Sequence, residues 1–323
     1  MYNPDPMNPP EPGRGNRRKK APPHLLAPSQ WPTWLVIGIA WLLARLPLTM
    51  VRSLGLRLGR ATYPLAHSRR EIAATNLGLC FPQLTAQEQE ALTRDCLQQV
   101  TLGTLELAVA WLNPGRDVRP YCTVSGAGHL RAAQSLGRGV VLVGGHYAVM
   151  DIIAQSLAEL GGIDLMYRKN KQPAWEWLQM HGRGHYFEHI HERTDTRSIL
   201  RALKQGRTIW YAADQDYGAK HSVFAPFYGI PAATITATAR LARFNQSPVL
   251  LLSQHRRRDG VGWHLTFTPV VQNFPSGDDV VDATRMNALL EAEINKDPAQ
   301  YLWVHKRFKT RPEGEAQVYN QRD

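Results

Sequence analysis

The residues best suited to chemistry follow the apolar run Gly139 to Val143. They read Gly144-Gly145-His146-Tyr147-Ala148-Val149-Met150-Asp151, an imidazole with a carboxylate five positions on. With 12 His and 27 acidic residues in 323 positions, one such spacing is expected by chance, so placement must carry the argument. Two glycines after a buried strand let the chain turn sharply and leave His146 at the sheet edge. Five residues on a regular helix are about 140° apart, so the pair meets only if His146 lies at or before a helix start and Asp151 in its first turns. So placed, Asp151 would fix the imidazole tautomer and raise its basicity, making a general-base dyad. The alternative is that His146 caps the helix that follows.

Three further clusters have chemical potential. Met166-Tyr167-Arg168-Lys169-Asn170-Lys171, with Gly182-Arg183 after it, reads as an anion cradle for phosphate or carboxylate, or else as a solvated charged loop. Beside it stand His181, His185, His189 and His191, whose i,i+4 spacing raises zinc; Gly182 and Gly184 argue against the regular helix this needs, and no metal is assigned. Asp214-Gln215-Asp216-Tyr217-Gly218 follows the apolar run Thr208 to Tyr211. A D-x-D at a strand end is how many sugar-nucleotide glycosyltransferases hold a metal and a diphosphate, which makes that activity the rival reading. The next residues, Ser222 to Gly229, read as an apolar, aromatic loop better suited to a greasy substrate channel. Near the C-terminus, Tyr301 to Pro312 interleaves aromatics with His305, Lys306, Arg307, Lys309 and Arg311, as a nucleic-acid surface would or as cations backing lipid phosphates do.

Elements that could position these residues are legible in the apolar periodicity. Leu54 to Trp111 is helical in pattern, with a capping box at Thr85-Ala86-Gln87-Glu88 opening a long 3.6-period stretch to Leu112. After Pro120, β-rich runs at Val140 to Val143, Ile163 to Tyr167, Thr208 to Tyr211, Val249 to Leu252 and Leu265 to Val271 alternate with helical patterns at Ile152 to Leu160, Thr196 to Lys204 and Thr234 to Phe244. Such alternation predicts an α/β sandwich around a mainly parallel sheet, with working residues at the strands' carboxyl ends. No internal repeat and no glycine-rich phosphate loop is present.

The N-terminal part differs. Residues 1–30 hold eight of the 22 prolines and the basic run Arg17, Arg18, Lys19, Lys20, and read as a flexible tail rather than a secretory leader. Residues 31–53 read as a membrane-associated helix: Trp31 to Val51 is apolar except for Arg45 and carries three tryptophans. Its uninterrupted apolar core, Trp34 to Ala44, is short of the roughly 20 residues a spanning helix needs. A helix placing Arg45 and Arg52 on one face could instead lie among anionic head groups, or simply pack on the domain. The chain's 38 Lys+Arg against 27 Asp+Glu give a net charge of +11, which attracts anionic partners without choosing among nucleic acid, lipid and acidic protein. Mean hydropathy of -0.34 excludes a polytopic membrane protein. Three cysteines, Cys80, Cys96 and Cys122, suggest no disulfide framework.

Taken in order, WPTWL near the start, NLGLCFP at Asn76 to Pro82, GGHYAVMD, MYRKNKQP, YAADQDYG with SVFAPFYG, and YLWVHKRFKTRPEGE resemble the late (secondary) acyltransferases of lipid A biosynthesis. These form a branch of the glycerolipid-type acyltransferases with an H-x4-D/E block. The resemblance spans about Trp31 to Glu315 and departs at Asp151, where Glu is common. It implies a glycerolipid-acyltransferase-like sandwich over 54–315 with an N-terminal membrane helix, and a C-terminal tail over 316–323. By the resemblance, His146 is the base on an acceptor hydroxyl and Asp151 holds it. Arg168 and Arg183, with Asn170 and Lys171 in the same cradle, bind phosphate or developing charge, and Asp214 and Asp216 support the network. The implied reaction carries a fatty acyl group, lauroyl in type, from acyl carrier protein to a hydroxyl of an acyl chain on a Kdo-bearing lipid A precursor. It would run at the cytoplasmic face of the inner membrane, with no cofactor, metal or nucleic acid. The rivals are a metal-dependent glycosyltransferase and a non-enzymatic basic surface for membrane or nucleic acid.

Overall fold

The structure, a computed structural model, describes Leu25 and residues 27–319. Most of the basic tail expected over 1–30, including Arg17 to Lys20, and residues 320–323 of the expected C-terminal tail lie outside the described residues.

The chain opens with four helices: α1 (Trp31–Leu43), α2 (Leu48–Thr62), α3 (His67–Cys80) and α4 (Ala86–Leu112). The single helix expected over 31–53 is divided. Pro47 lacks an N–H and clashes with a preceding helical turn, so α1 stops and Pro47 becomes the N-cap of α2. Among the described residues no helix is long and apolar enough to cross a membrane. Division also separates the expected Arg45/Arg52 stripe. The Arg45 guanidinium folds back over the Trp41 ring at 3.4 Å, whereas Arg52 donates to the carbonyl of Arg258 at 3.0 Å.

The long helix α4 begins at the expected capping box. Thr85 accepts from the Glu88 N–H at 3.3 Å, and the Glu88 carboxylate accepts from the Thr85 N–H at 2.8 Å. At some 40 Å for 27 residues it forms a spine behind the sheet.

The rest alternates as expected. After β1 (Cys122–Ser125) and α5 (Ala127–Gln134) come β2 (Val140–Gly144), α6 (Ala154–Ala158), β3 (Ile163–Tyr167), α7 (Pro173–Arg183), β4 (Ile190–Glu192), α8 (Thr196–Lys204) and β5 (Thr208–Ala212). Then follow β6 (Ser222–Phe227), β7 (Ile230–Ile235), α9 (Ala237–Asn245), β8 (Val249–Arg256), β9 (Trp263–Phe267) and α10 (Asp279–Ile294). Seven strands form one sheet in the order β1-β9-β8-β2-β5-β3-β4. Five are parallel; β9 runs antiparallel to β8, and β1 follows β9. The sequence does not announce β1 or the three-residue β4, which are too short to show a period.

Two local readings change. Ser222 to Gly229 is no loop: β6 and β7 make an antiparallel hairpin whose turn residues Tyr228 and Gly229 both have positive φ, as a two-residue hairpin turn requires. The first residues of the helix expected from Thr234 are therefore strand. Helix α7 runs on through Gly182 despite its glycine, because a Cβ there would lie 2.5 Å from the Trp111 ring; only Gly lets α7 approach α4 so closely.

The spine is fixed to the sheet by buried charge. The Arg256 guanidinium on β8 donates to both Glu106 oxygens on α4 at 2.7 and 2.6 Å, and the Trp263 indole N–H on β9 adds a third bond at 3.2 Å. Gly103 brings α4 against the segment after β2: a Cβ there would stand 2.0 Å from the Ala148 carbonyl oxygen. Ala favours a helix over Gly by about 1 kcal/mol. Gly103→Ala should nonetheless destabilise the protein by about 1–3 kcal/mol through overpacking. Thermal unfolding followed by circular dichroism checks this; a raised Tm would show that the segment yields freely.

Candidate active site

The site is set by register. Strands β2 and β5 lie side by side and parallel, with Gly144 opposite Ala212 at the end of their pairing. His146 and Asp214 are each two residues beyond that pair, so both chains deliver them to the same place. The Asp214 carboxylate grips His146 twice, accepting from its backbone N–H at 2.8 Å and meeting ring Nδ1 at 2.5 Å. Asp214 is buried and the imidazole is partly open.

Burial alone would raise the Asp214 pKa. The adjacent His146, its ring and backbone hydrogen bonds, and a bond from Tyr301 outweigh burial and hold the carboxyl well below the usual carboxylate range. An ionised carboxylate only accepts, so Nδ1 donates to Asp214 and Nε2 is the ring nitrogen that Asp214 leaves open.

Asp151 does not pair with His146. It enters a short 3-10 turn (Asp151–Ile153) inside the protein, where both its oxygens take the Arg183 guanidinium, from Nε at 2.7 Å and Nη2 at 3.0 Å. The same bond corrects the reading of Arg183: it is buried on α7 beneath Trp111, and its charge is matched by Asp151. Such a pair sets a backbone position more than it holds a solvent-borne anion.

The remaining candidates fall into two groups. Arg168, Asn170 and Lys171 are exposed on the loop after β3. Asn170 works within its own turn: its N–H donates to Glu176 at 2.7 Å and its side chain accepts from the Gln172 N–H at 3.0 Å. Asp216 accepts from Gly218 N–H at 2.8 Å and Thr310 N–H at 2.6 Å, neither of which Asp214 shares. The D-x-D is thus two carboxylates with separate partners, contrary to the joint metal grip of the glycosyltransferase reading. Among the described residues no group of three or more His, Cys, Asp or Glu could hold a metal ion.

Sequence reasoning missed the wall opposite. The segment after α10 returns along the residues that follow β2: Ala148 N–H donates to Gln300 at 2.7 Å, and Leu302 N–H to the His146 carbonyl at 2.9 Å. This brings His305 edge-on against His146, with ring centroids 5.8 Å apart. Asn76, fully buried on α3, holds that segment by donating to the carbonyls of Trp303 at 2.6 Å and His305 at 2.8 Å, and accepts from the Tyr319 hydroxyl at 2.5 Å. No sequence spacing signals this meeting, because it depends on one isolated antiparallel bridge between Tyr147 and Tyr301. The cations of this segment do not all back a ligand. Arg307 donates to the Ala233 carbonyl at 2.8 Å and Arg311 to the Pro231 carbonyl at 2.8 Å, tying the segment to the hairpin.

Comparison with known proteins places the chain in a family. The sequence model of the family described as bacterial lipid A biosynthesis acyltransferase matches residues 18–310. The chain is 37% identical over 292 residues to the lipid A biosynthesis lauroyltransferase of Escherichia coli (strain K12), covering 90% of this chain and 95% of that protein. It is 36% identical over 295 residues to the palmitoleoyltransferase of the same organism, covering 91% and 96%. To that organism's myristoyltransferase it is 27% identical over 300 residues, covering 92% of each.

Burial, reinforced by the nearby His146 charge, lowers the His305 pKa from 6.5 to about 4. Between those values the unfolded chain binds this proton more readily than the folded one. The stability contributed by neutral His305 is therefore complete above 6.5 and lost as pH falls through about 4. His305→Gln should flatten the fall of Tm across that window, measured by thermal unfolding in a pH series; an unchanged slope would place the acid sensitivity elsewhere.

Proposed function

The chain belongs to the bacterial lipid A biosynthesis acyltransferase family, and from that premise we propose that it transfers a fatty acyl group from an acyl carrier protein thioester to a hydroxyl on an acyl chain of a Kdo-bearing lipid A precursor. The observation that carries the mechanism is the doubly held His146–Asp214 pair.

An alcohol is a weak nucleophile until a positioned base takes its proton. His146 Nε2 accepts the hydroxyl proton as the oxygen attacks the thioester carbonyl, and Asp214 stabilises the imidazolium that forms. Collapse of the tetrahedral intermediate breaks the carbon–sulfur bond. The departing thiolate takes the proton back from His146, leaving an ester and a free carrier thiol. This assigns to Asp214 the partner's role that the H-x4-D block suggests for Asp151. Asp151 acts instead through Arg183, as a positioning residue for the turn after β2.

Lauroyl is the donor chain in this reading; the 37% and 36% identities to the lauroyl- and palmitoleoyl-transferring relatives against 27% to the myristoyl-transferring one weigh against a myristoyl donor without separating the first two. A lipid acceptor also requires access to a bilayer surface at the cytoplasmic face of the inner membrane. Helix α1 suits that task by lying in the interface rather than spanning: Leu35 and Leu42, on one face of the helix, are each more than 60% exposed. Arg45, Arg57 and Arg60 lie on or beside these first two helices, where anionic head groups would meet them.

Purified protein given lauroyl carrier thioester and Kdo-bearing precursor should form the acylated product, with full activity in excess EDTA. No transfer with any chain length would sink the proposal, and loss of activity to EDTA would favour the glycosyltransferase. His146→Ala and Asp214→Ala should each lower kcat by about 10²–10⁴-fold while leaving the circular dichroism spectrum unchanged. Asp151→Asn should chiefly lower Tm, by leaving the buried Arg183 charge uncompensated at a cost of about 3–5 kcal/mol; an equal kcat loss at unchanged Tm would return Asp151 to the proton relay.

A further inference from the structure

Arg193 and Tyr217 take no part in the mechanism above, yet they stand at the same edge of the sheet. The last registered pair of β3 and β4 is Tyr167 opposite Glu192. The next residues, Arg168 and Arg193, therefore leave the sheet side by side, and the Arg193 N–H donates to the Tyr167 carbonyl at 2.8 Å. Tyr217 arrives from the neighbouring β5. The Arg193 guanidinium lies 4.9 Å from its ring centroid. Burial, and next to it the Asp214 charge, push the Tyr217 hydroxyl pKa up, and Arg193 and Arg168 oppose them.

These two arginines differ from those that are ion-paired within the fold. Arg183, Arg207, Arg256 and Arg258 all have carboxylate partners. Among the described residues neither Arg168 nor Arg193 forms an ion pair, and the carboxylate next in sequence, Glu192, takes the Thr194 hydroxyl. Two arginines that leave adjacent strands without a counter-charge repel each other wherever their guanidinium groups approach, a cost that a bound dianion removes. Their planar forks match phosphate oxygens. By strand spacing, β3 and β4 stand about 10 and 14 Å from β2, so an anion between them would lie a glycolipid head group's width from His146.

We propose that Arg168 and Arg193, with the Tyr217 ring as a floor, form a phosphate subsite of the active centre. The assignment rests on the acyl transfer proposed above, and it adds Arg193 and Tyr217 to the residues expected to contact substrate. The phosphate has two possible sources: a phosphate ester on the glycolipid acceptor, or the phosphodiester in the carrier protein's prosthetic arm.

Arg193→Ala tests this in the full-length protein, since the backbone bond to Tyr167 survives the change. The variant should raise KM for one substrate by about tenfold or more, the loss of a charge-assisted bond, with kcat within about threefold. Inorganic phosphate should inhibit the wild type competitively against that same substrate and the variant far more weakly. An effect on the acceptor assigns the phosphate to the glycolipid; an effect on the carrier thioester assigns it to the prosthetic arm. Arg193→Lys, which restores charge without the planar fork, should recover only part of the loss. A thermal shift by inorganic phosphate, present in the wild type and lost in Arg193→Ala, reads the subsite without turnover. Unchanged KM for both substrates, or equal phosphate shifts in both proteins, overturns the subsite while leaving acyl transfer standing; a wild type that transfers no acyl group but shows the Arg193-dependent shift fails only the functional reading.

Discussion

The site depends on the in-register pairing of β2 with β5. Parallel neighbours that end together release their next residues at the same height, so an imidazole on one and a carboxylate on the other meet without help from long side chains. Asp214 then uses one oxygen for the ring of His146 and the other for its backbone N–H. The second bond matters as much as the first. It fixes the turn that carries the ring, so the imidazole can move only if the strand end moves with it.

Around that contact the protein gives its buried carboxylates partners. Asp214 has His146, Asp151 has Arg183, Glu106 has Arg256, and Asp164 has both Arg207 and His191. An isolated buried carboxylate would be protonated or expel its element toward water. Each pair also joins elements distant in sequence, which gives the ions a positional role that apolar contacts would fill less specifically. Arg183 illustrates the difference between charge and availability. A guanidinium whose Nε and Nη2 are taken by a neighbouring carboxylate orders α7 and offers less to a ligand than an exposed one.

What was legible in the sequence follows from the range of the interactions involved. Period and capping are local, so the strands that flank the site, the start of α4 and helix α8 could be read directly, and His146 and Asp214 could both be placed at strand ends. The order of strands is not local. Reading His146 with Asp151 used the shortest path along the chain, whereas the physical neighbour sits 68 residues away on an adjacent strand. Pro47 stands inside the apolar run and divides the first helix there, a local effect that the run's hydropathy masks. Nothing local marks Asn76 or His305 as parts of one wall. Asn76 looks like any helical polar residue until the C-terminal segment folds across it and presents two carbonyls to its amide.

The charge excess acquires a different meaning once pairing is considered. Arginines matched to buried acids contribute little to the field outside the protein, because each is neutralised within a few ångströms. The outward field belongs to cations without such partners, and Arg168, Lys169, Lys171, Arg197 and Lys220 are exposed on or near the loops at the carboxyl edge of the sheet. Screening at physiological salt limits an exposed charge to about 8 Å. A net charge of +11 spread evenly would therefore guide nothing to one place. The cations at this rim raise the local concentration of anions beside His146, where an uncharged alcohol and thioester give a base little electrostatic attraction of their own. Binding energy gathered at the charged rim is then available to align groups that the dyad could not gather by itself.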